Sequence, residues 1–162
     1  MDKLTQIIAY ILDKYPHKME LSNARVTKMV YLSDWKSVLV RGCQISSIQW
    51  YFDNYGPFVW DISKAVEQDT TVFSIINDQT MFGARKMRFI LKTKIDYNLL
   101  SDDDMKIINF VIDTTSKLNW NEFIKLVYST FPIVSSERYS NINLSQKAIE
   151  FESIKKHRAS KK

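Results

Sequence analysis

The chain is poor in the residues on which most catalytic and metal-binding motifs depend. Its 162 residues include one cysteine, two histidines, three glycines and three prolines. Cys43 has no second cysteine with which to form an internal disulfide, and the two histidines lack the paired ligand spacing of a zinc site. The dispersed glycines form no phosphate-binding loop, and no GxSxG nucleophile elbow is present. We therefore expect no catalytic residues, no cofactor and no metal.

Long hydrophobic runs and a secretory signal are also missing. No apolar stretch approaches the roughly 20 residues that cross a bilayer. Asp2 and Lys3 precede an amphipathic segment that Gln6 interrupts, which is not the continuous apolar region of a signal peptide. These absences favour a cytoplasmic protein without a membrane partner.

The net charge of +5 is concentrated at one end of the chain. Residues 155–162 contain no acid, so the rest of the chain is formally neutral, and the five cations are Lys155, Lys156, Arg158, Lys161 and Lys162. We predict a single domain at 1–154 and a basic, mobile tail at 155–162.

Helical periodicity recurs in six segments of the sequence. The first segment begins at Leu4 and stops at Pro16, the second begins at Asn23 and ends at Gly42, and the third runs from about Phe58 to Gln68. The fourth starts at a Ser101–Asp104 capping box, the fifth runs from Trp120 to Tyr128 before Pro132, and the sixth starts at Ser145. Asp102 to Asp104 fit a helix start, where negative charge meets the positive end of the helix dipole.

Three segments alternate as strands do. They are Ile48–Phe52, Thr71–Ile76 before a predicted Asn77-Asp78 turn, and Lys86–Ile95 after a bend at Gly83. Residues 135–143 are predicted to be a loop. The combined pattern predicts a compact, mostly α-helical α+β domain with a small antiparallel sheet or hairpin.

Aromatic residues cluster around one Gly-Pro turn. Six of them lie between Trp50 and Trp60, and we predict that Gly56 and Pro57 make a rigid corner in which Pro57 opens the next helix. Core packing accounts for Trp50 and its strand neighbours, but not for every ring at once. The candidate partner-binding residues are Trp35, Tyr51, Tyr55, Phe58 and Trp60.

A second candidate surface is cationic. Lys86, Arg88, Lys92 and Lys94 share one predicted strand face, with Arg85 beside them. Such side chains often keep an edge strand soluble, and they also steer acidic partners or a nucleic-acid backbone. Asp34, Asp53 and Asp61 are further carboxylates, but sequence spacing alone does not bring them together.

Two of these segments resemble the Panacea (SocA-like) antitoxin domain family. The resemblance lies in Lys28-Met29-Val30-Tyr31-Leu32, followed by Gly42, and in Trp50 with the Tyr55-Gly56-Pro57-Phe58 turn. It extends more loosely to Pro132, although residues 128–133 lack the histidine and tryptophan that many members have there. It implies a compact, largely helical, non-enzymatic protein that neutralises a cognate toxin by binding it.

Other functions remain open at this point. A nucleic-acid-binding autoregulator would use the basic tail and the cationic strand. The sequence does not distinguish an antitoxin that simply covers its toxin from an adaptor that delivers a partner to a protease or acts in phage defence. The sequence predicts neither the partner nor the oligomeric state.

Overall fold

A computed structural model describes residues 1–79, 83 and 85–161, with the side chain of Arg85 outside this description. The helices are α1 Lys3–Lys14, α2 Asn23–Arg41, α3 Asp61–Gln68, α4 Asp102–Thr115, α5 Trp120–Ser129, α6 Phe131–Val134 and α7 Leu144–Ser160. The strands are β1 Trp50–Asp53, β2 Gly56–Phe58, β3 Phe73–Gln79, β4 Arg85–Leu91 and β5 Ser140–Ile142. The predicted fold class, a mostly helical α+β domain with small antiparallel sheets, is confirmed.

Helix α2 is the centre of the fold. It contacts α1, α3, α4, α7, β2 and β4, so most of its circumference is buried. The hydroxyl of Ser22 accepts a hydrogen bond from the Arg25 N–H at 3.2 Å, which makes Ser22 the N-cap in place of the predicted Asn23. Gly42 ends the helix with a φ of 81°, as predicted.

The first sheet has the strand order β2-β1-β5, and both pairs are antiparallel. Pro57 does not open a helix: it lies in β2 opposite Phe52, and α3 begins only at Asp61. Strand β2 is at the edge of the sheet, where the missing N–H of proline costs no ladder hydrogen bond. The predicted loop at 135–143 contains β5, which pairs with β1 from about 90 residues later in the chain.

Strands β3 and β4 form a separate hairpin. Asn77 and Asp78 are not a turn, because they pair with Met87 and Lys86 within the ladder. Near the other end of β4, the N–H of Phe89 donates to the carbonyl of Leu21 at 2.9 Å. Strand β4 is therefore attached to the segment that leads into α2.

Two predictions about the last helices also need correction. Pro132 does not end an element but lies in the first turn of α6, where a proline is well tolerated. Asn143, and not Ser145, caps α7, because its side chain accepts the Gln146 N–H at 3.0 Å. Helix α7 continues through Ser160, and the mobility of the tail stays a prediction.

The predicted capping box at the start of α4 is confirmed, and its buried Asp104 carboxylate also forms ion pairs with two partly exposed cations. Asp104 accepts a hydrogen bond from the Ser101 N–H at 3.0 Å. It also forms ion pairs with Lys3, at 3.0 Å, and with Arg41. Burial opposes ionisation of Asp104, but the bonds from Arg41, Ser101 and Lys3 outweigh it and hold the pKa at about 2. The carboxylate ties α4 to α1 and to the end of α2.

Replacing Asp104 with asparagine is expected to lower the free energy of unfolding by about 2 kcal/mol near neutral pH. The folded pKa lies below the unfolded value of 3.8, so this stabilisation is present above pH 3.8 and is lost as the pH falls towards about 2. Urea unfolding across this range measures it. Asp103→Asn, at an exposed neighbour in the same turn, is the control, and an equal loss in both variants would contradict the argument.

Candidate partner-binding surface

The hairpin of β1 and β2 presents aromatic rings on its outer face. Tyr51 and Phe58 are cross-strand partners, and both are half-buried. Phe58 meets Trp60 edge-on, with 5.1 Å between the ring centroids. Trp60 is 65% exposed and Tyr55, at the turn, is 81% exposed. This end of the sheet therefore presents accessible aromatic rings of the kind that are enriched in protein interfaces.

Sequence reasoning missed one more ring beside this hairpin. Tyr139 is exposed and has a φ of 67°, in the left-handed region. Its N–H donates to the Phe52 carbonyl at 2.6 Å, and its hydroxyl hydrogen-bonds the side chain of Asn54. Its place beside the hairpin depends on the pairing of β5 with β1, which no local pattern shows. We call Tyr51, Tyr55, Phe58, Trp60 and Tyr139 the aromatic patch.

The inner face of the same hairpin is fixed to α2. The Trp50 ring packs edge-on against Tyr31 at 5.5 Å, and its indole Nε1 donates to Asp34 at 2.9 Å. The Tyr31 hydroxyl bonds Thr130 at 2.8 Å. Rings on the outer face therefore stand on a strand whose other side is fully packed.

Asp34 is the anchor of this arrangement. Its carboxylate accepts hydrogen bonds from the N–H groups of Ile45 and Ser46, the Ser46 hydroxyl, the Gln44 amide and the Trp50 indole. Burial raises the pKa of Asp34 to about 6, although the bonds from Ser46, Trp50 and Ile45 favour the carboxylate. One side chain on α2 thus fixes both the loop after α2 and the first residue of β1.

The backbone conformation explains the glycine of the Gly-Pro corner. Gly56 has a φ of 96°, and a Cβ there would lie 3.5 Å from the Tyr128 ring. Any other residue would be strained by the positive φ. Pro57 is buried beside it. The corner fixes where Tyr55 and Phe58 emerge.

The structure places Trp35 away from the other candidate rings. It is buried, and its ring lies 6.1 Å from that of Phe151 on α7. Trp35 therefore belongs to the core of the free protein and offers no exposed surface to a partner.

The structure divides the candidate cationic residues among different contacts. Arg88 forms an ion pair with Asp78 at 2.9 Å, while Lys86 and Lys92 donate to the carbonyls of Met19 and Thr70. Lys92 and Lys94 are exposed and lie beyond the end of β4 at Leu91, so the predicted strand face of four cations is wrong: only Lys86 and Arg88 of this set lie on the strand. The side chain of Arg85 lies outside the described residues. Among the described members of this set, Arg88 alone has an acidic partner, so most of the predicted positive charge is not neutralised.

The burial of one cation, Lys28, could not be recognised from its residue type alone. Lys28 on α2 is 3% exposed, and its ammonium has no hydrogen-bond partner within the part of the chain that the structure describes. Burial lowers its pKa to about 8. Its only signal in the sequence was its place in the Lys-x-x-Tyr segment with Tyr31.

The carboxylates do not form a metal site. Across residues 1–79, 83 and 85–161, no group of three or more His, Cys, Asp and Glu side chains is placed to hold an ion. Asp34 is buried in its hydrogen-bond network, whereas Asp61 is exposed at the start of α3. None of the helices described is long and apolar enough to cross a membrane.

The comparison with protein-family models shows the family of the chain. Residues 26–131, about two thirds of the sequence, match the family model described as antitoxin SocA-like, Panacea domain. The chain belongs to this family. The match covers Lys28 and Tyr31 on α2, the Gly42 cap, and the Tyr55-Gly56-Pro57 corner, and it ends at the start of α6.

Within the Panacea domain, the match separates the aromatic patch into two parts. Four of its rings lie in the matched region, whereas Tyr139 lies after it, as do β5 and α7. No curated protein and no solved structure matches the chain significantly. Its function is therefore inferred from the family and from the surface itself.

Proposed function

We propose that this Panacea domain is the antitoxin of a toxin–antitoxin pair and that it neutralises its toxin by binding it directly through the aromatic patch. Membership of an antitoxin family supports the role. The single observation that carries the mode of action is the exposure of Tyr55, in the turn between β1 and β2, and of Trp60, just after β2. Both lie beside strand β1, whose inner face is held by Asp34 and Tyr31.

Physical chemistry favours this surface as the contact. Trp and Tyr provide much of the energy in protein interfaces, since each buries a large area at the cost of few rotatable bonds. The inner face of β1 is already packed, so little backbone order has to be gained on binding. Half-buried Tyr51 and Phe58 supply the apolar centre next to the two exposed rings.

Trp60→Ala is expected to weaken binding of the toxin encoded beside this protein by about 30-fold, or about 2 kcal/mol. Adding Tyr55→Ala to the Trp60→Ala variant should weaken toxin binding further. This double variant should no longer rescue growth when toxin and antitoxin are co-expressed. Titration calorimetry measures the affinity. Both rings are exposed, so the melting temperature should be unchanged.

Phe110→Ala is the matched control. Phe110 is an exposed ring on α4, where Lys36 lies over it at 4.3 Å, and it should bind and neutralise like the unmodified protein. Full neutralisation by the double variant would refute the assignment of the surface. Loss of neutralisation on deleting residues 155–162 alone would transfer the contact to the basic tail. A neighbouring gene product that is not toxic would refute the antitoxin role itself.

A further inference from the structure

Strand β3 has a long open edge. On one side it pairs with β4 over all of its seven residues, in an unbroken register. The sheet is two-stranded, so no strand among the described residues pairs with the other side of β3. Strand β4, by contrast, uses its second edge, where the Phe89 N–H donates to the Leu21 carbonyl at 2.9 Å. The hairpin therefore has one edge bonded to the rest of the fold and one open edge.

The hydrogen-bond pattern identifies the backbone groups on the open edge. In an antiparallel pair, residues alternate between those that bond the partner strand and those that point away from it. The Lys92 N–H donates to the Val72 carbonyl at 2.7 Å, so the even-numbered residues of β3 bond β4. Ile75, Asn77 and Gln79 then direct their N–H and C=O groups outward. In the part of the chain that the structure describes, the N–H groups of Ile75 and Asn77 have no acceptor.

The edge lacks the features that usually protect an exposed strand. Protected edge strands carry lysine or proline, contain a bulge, or are very short. Strand β3 has the sequence Phe-Ser-Ile-Ile-Asn-Asp-Gln and shows none of these features. In the other sheet, the edge strand β2 contains Pro57, and the edge strand β5 is only three residues long. An unprotected edge of this length is a template for another strand.

The charges on β3 allow an identical strand to approach. Asp78 is its only charged residue, and it forms an ion pair with Arg88 on β4 at 2.9 Å. Lys86 and Arg88 lie on β4, one strand further from the open edge. Three strand spacings, about 14 Å, would separate β4 from its counterpart in a second copy, which exceeds the Debye length of about 8 Å. Little repulsion therefore opposes the pairing of two β3 strands.

We propose that β3 pairs with β3 of a second copy of this chain, antiparallel, about a two-fold axis at Ile76. Ile75 of each copy then lies opposite Asn77 of the other, and each such pair exchanges its free N–H and C=O groups in hydrogen bonds. On the axis, the Ile76 side chain, which is 38% exposed, meets Ile76 of the second copy. Cross-strand pairs of β-branched side chains stabilise a sheet.

Other registers of the same pairing are less favourable. An axis at Ile75 would need the Phe73 N–H, which already has an acceptor within the chain at 3.0 Å. An axis at Asn77 places Ile76 opposite Asp78, and an axis at Asp78 brings two carboxylates together. The free amides by themselves would accept a strand of any protein, whereas the neutral edge and the match of Ile76 with itself favour a second β3.

The pairing is closed at two copies. Joining the two open edges leaves only the far edge of each β4, which is already bonded to the Leu21–Ser22 segment. No residue of the aromatic patch lies on β3, so each copy keeps its own patch. The dimer is therefore independent of the proposed antitoxin role.

Sedimentation equilibrium of the full chain between about 1 and 500 μM tests the proposal, with an expected dimer Kd of about 10 to 100 μM. Ile76→Lys places like charges opposite each other on the axis and should raise the Kd at least about 10-fold. Asn77→Pro removes an outward N–H without breaking the β3–β4 ladder and should raise the Kd by a similar factor.

Ile149→Lys and Asn77→Ala are the matched controls. Ile149 is an exposed isoleucine on α7, and alanine at position 77 keeps the backbone N–H, so both variants should dimerise like the unmodified chain. Melting temperatures show that each variant folds. In the unmodified chain, hydrogen exchange of the Ile75 and Asn77 amides should slow as the concentration rises through the Kd.

Four results would overturn the proposal. They are a chain that stays monomeric at about 500 μM, a dimer that survives either Ile76→Lys or Asn77→Pro, a dimer that Ile149→Lys dissociates, and exchange of both amides that does not depend on concentration. In the last case, protection of these amides only in the complex with the neighbouring gene product would assign the edge to that protein.

Discussion

Replacing Asp34 with alanine is expected to lower the free energy of unfolding by about 4 kcal/mol. The substitution removes the acceptor of two backbone N–H groups, Ile45 and Ser46, and of the Trp50 indole, all of which stay buried without another partner. An unsatisfied buried donor costs about 1 to 3 kcal/mol, and several are created at once. Urea unfolding followed by circular dichroism measures the loss.

Asp96→Ala is the control for this experiment, since Asp96 is exposed and should change stability by less than about 0.5 kcal/mol. The loop after α2 and the hairpin should loosen first, because Asp34 holds both. If the aromatic patch binds a toxin as we propose, that binding should weaken along with stability. A stable Asp34→Ala protein with an unchanged hairpin would show that the network does not anchor the patch.

Replacing Lys28 with methionine is expected to raise the free energy of unfolding by about 3 kcal/mol near neutral pH. Burial lowers the lysine pKa from 10.5 to about 8, so keeping the ammonium charged inside the fold opposes folding. Methionine has a similar length and no charge. The result expected is a protein more stable than the natural one.

The stability advantage of Lys28→Met should depend on pH, in a direction that follows from the lowered pKa of Lys28. Because the folded pKa of Lys28 is below the unfolded one, the natural protein gains stability as the pH rises from about 8 to 10.5. Lys28→Met does not titrate, so its advantage should shrink across that range. Lys64→Met, at an exposed lysine, should show no advantage at any pH. A destabilised Lys28→Met protein would mean that the ammonium makes a contact the fold needs.

Local chemistry made most of the helices predictable. The Ser101–Asp104 capping box and the Gly42 cap were read directly from residue types whose role depends on their immediate neighbours. Strand β1 was predictable as well, since alternation alone tells that Trp50 and Phe52 point inward. The Gly56-Pro57 corner was predictable in position but not in type, because an edge strand accepts proline as readily as a helix start does.

Long-range contacts account for what the sequence did not show. Strand β5 has no strong pattern of its own, and it forms because β1 has a free edge. Trp35 is a candidate surface residue in the sequence, but in the structure Phe151 on α7 packs against its ring. The role of Asp34 arises where a helix, a loop and a strand meet, and spacing could not show that three segments converge there.

For the site, composition was a better guide than position. The excess of rings around residues 50–60 predicts exposed aromatics at Tyr51, Tyr55 and Phe58. Tyr55 is 81% exposed, but Tyr51 and Phe58 are half-buried, and Trp60, for which core packing was also an explanation, is 65% exposed. The partly compensated charge of β4 could not be foreseen, since Asp78 was assigned to a turn and in fact lies within β3, where it pairs with Arg88.

The pairing of β1 with β5 sets the order in which the molecule matures during synthesis. A nascent chain can close the β1–β2 hairpin early, but that hairpin keeps an open edge until Ser140–Ile142 leaves the ribosome. Tyr139, which completes the aromatic surface, arrives at the same moment. Chains interrupted before this point lack the third strand of the sheet and Tyr139, so the aromatic patch is complete only after translation has passed residue 142.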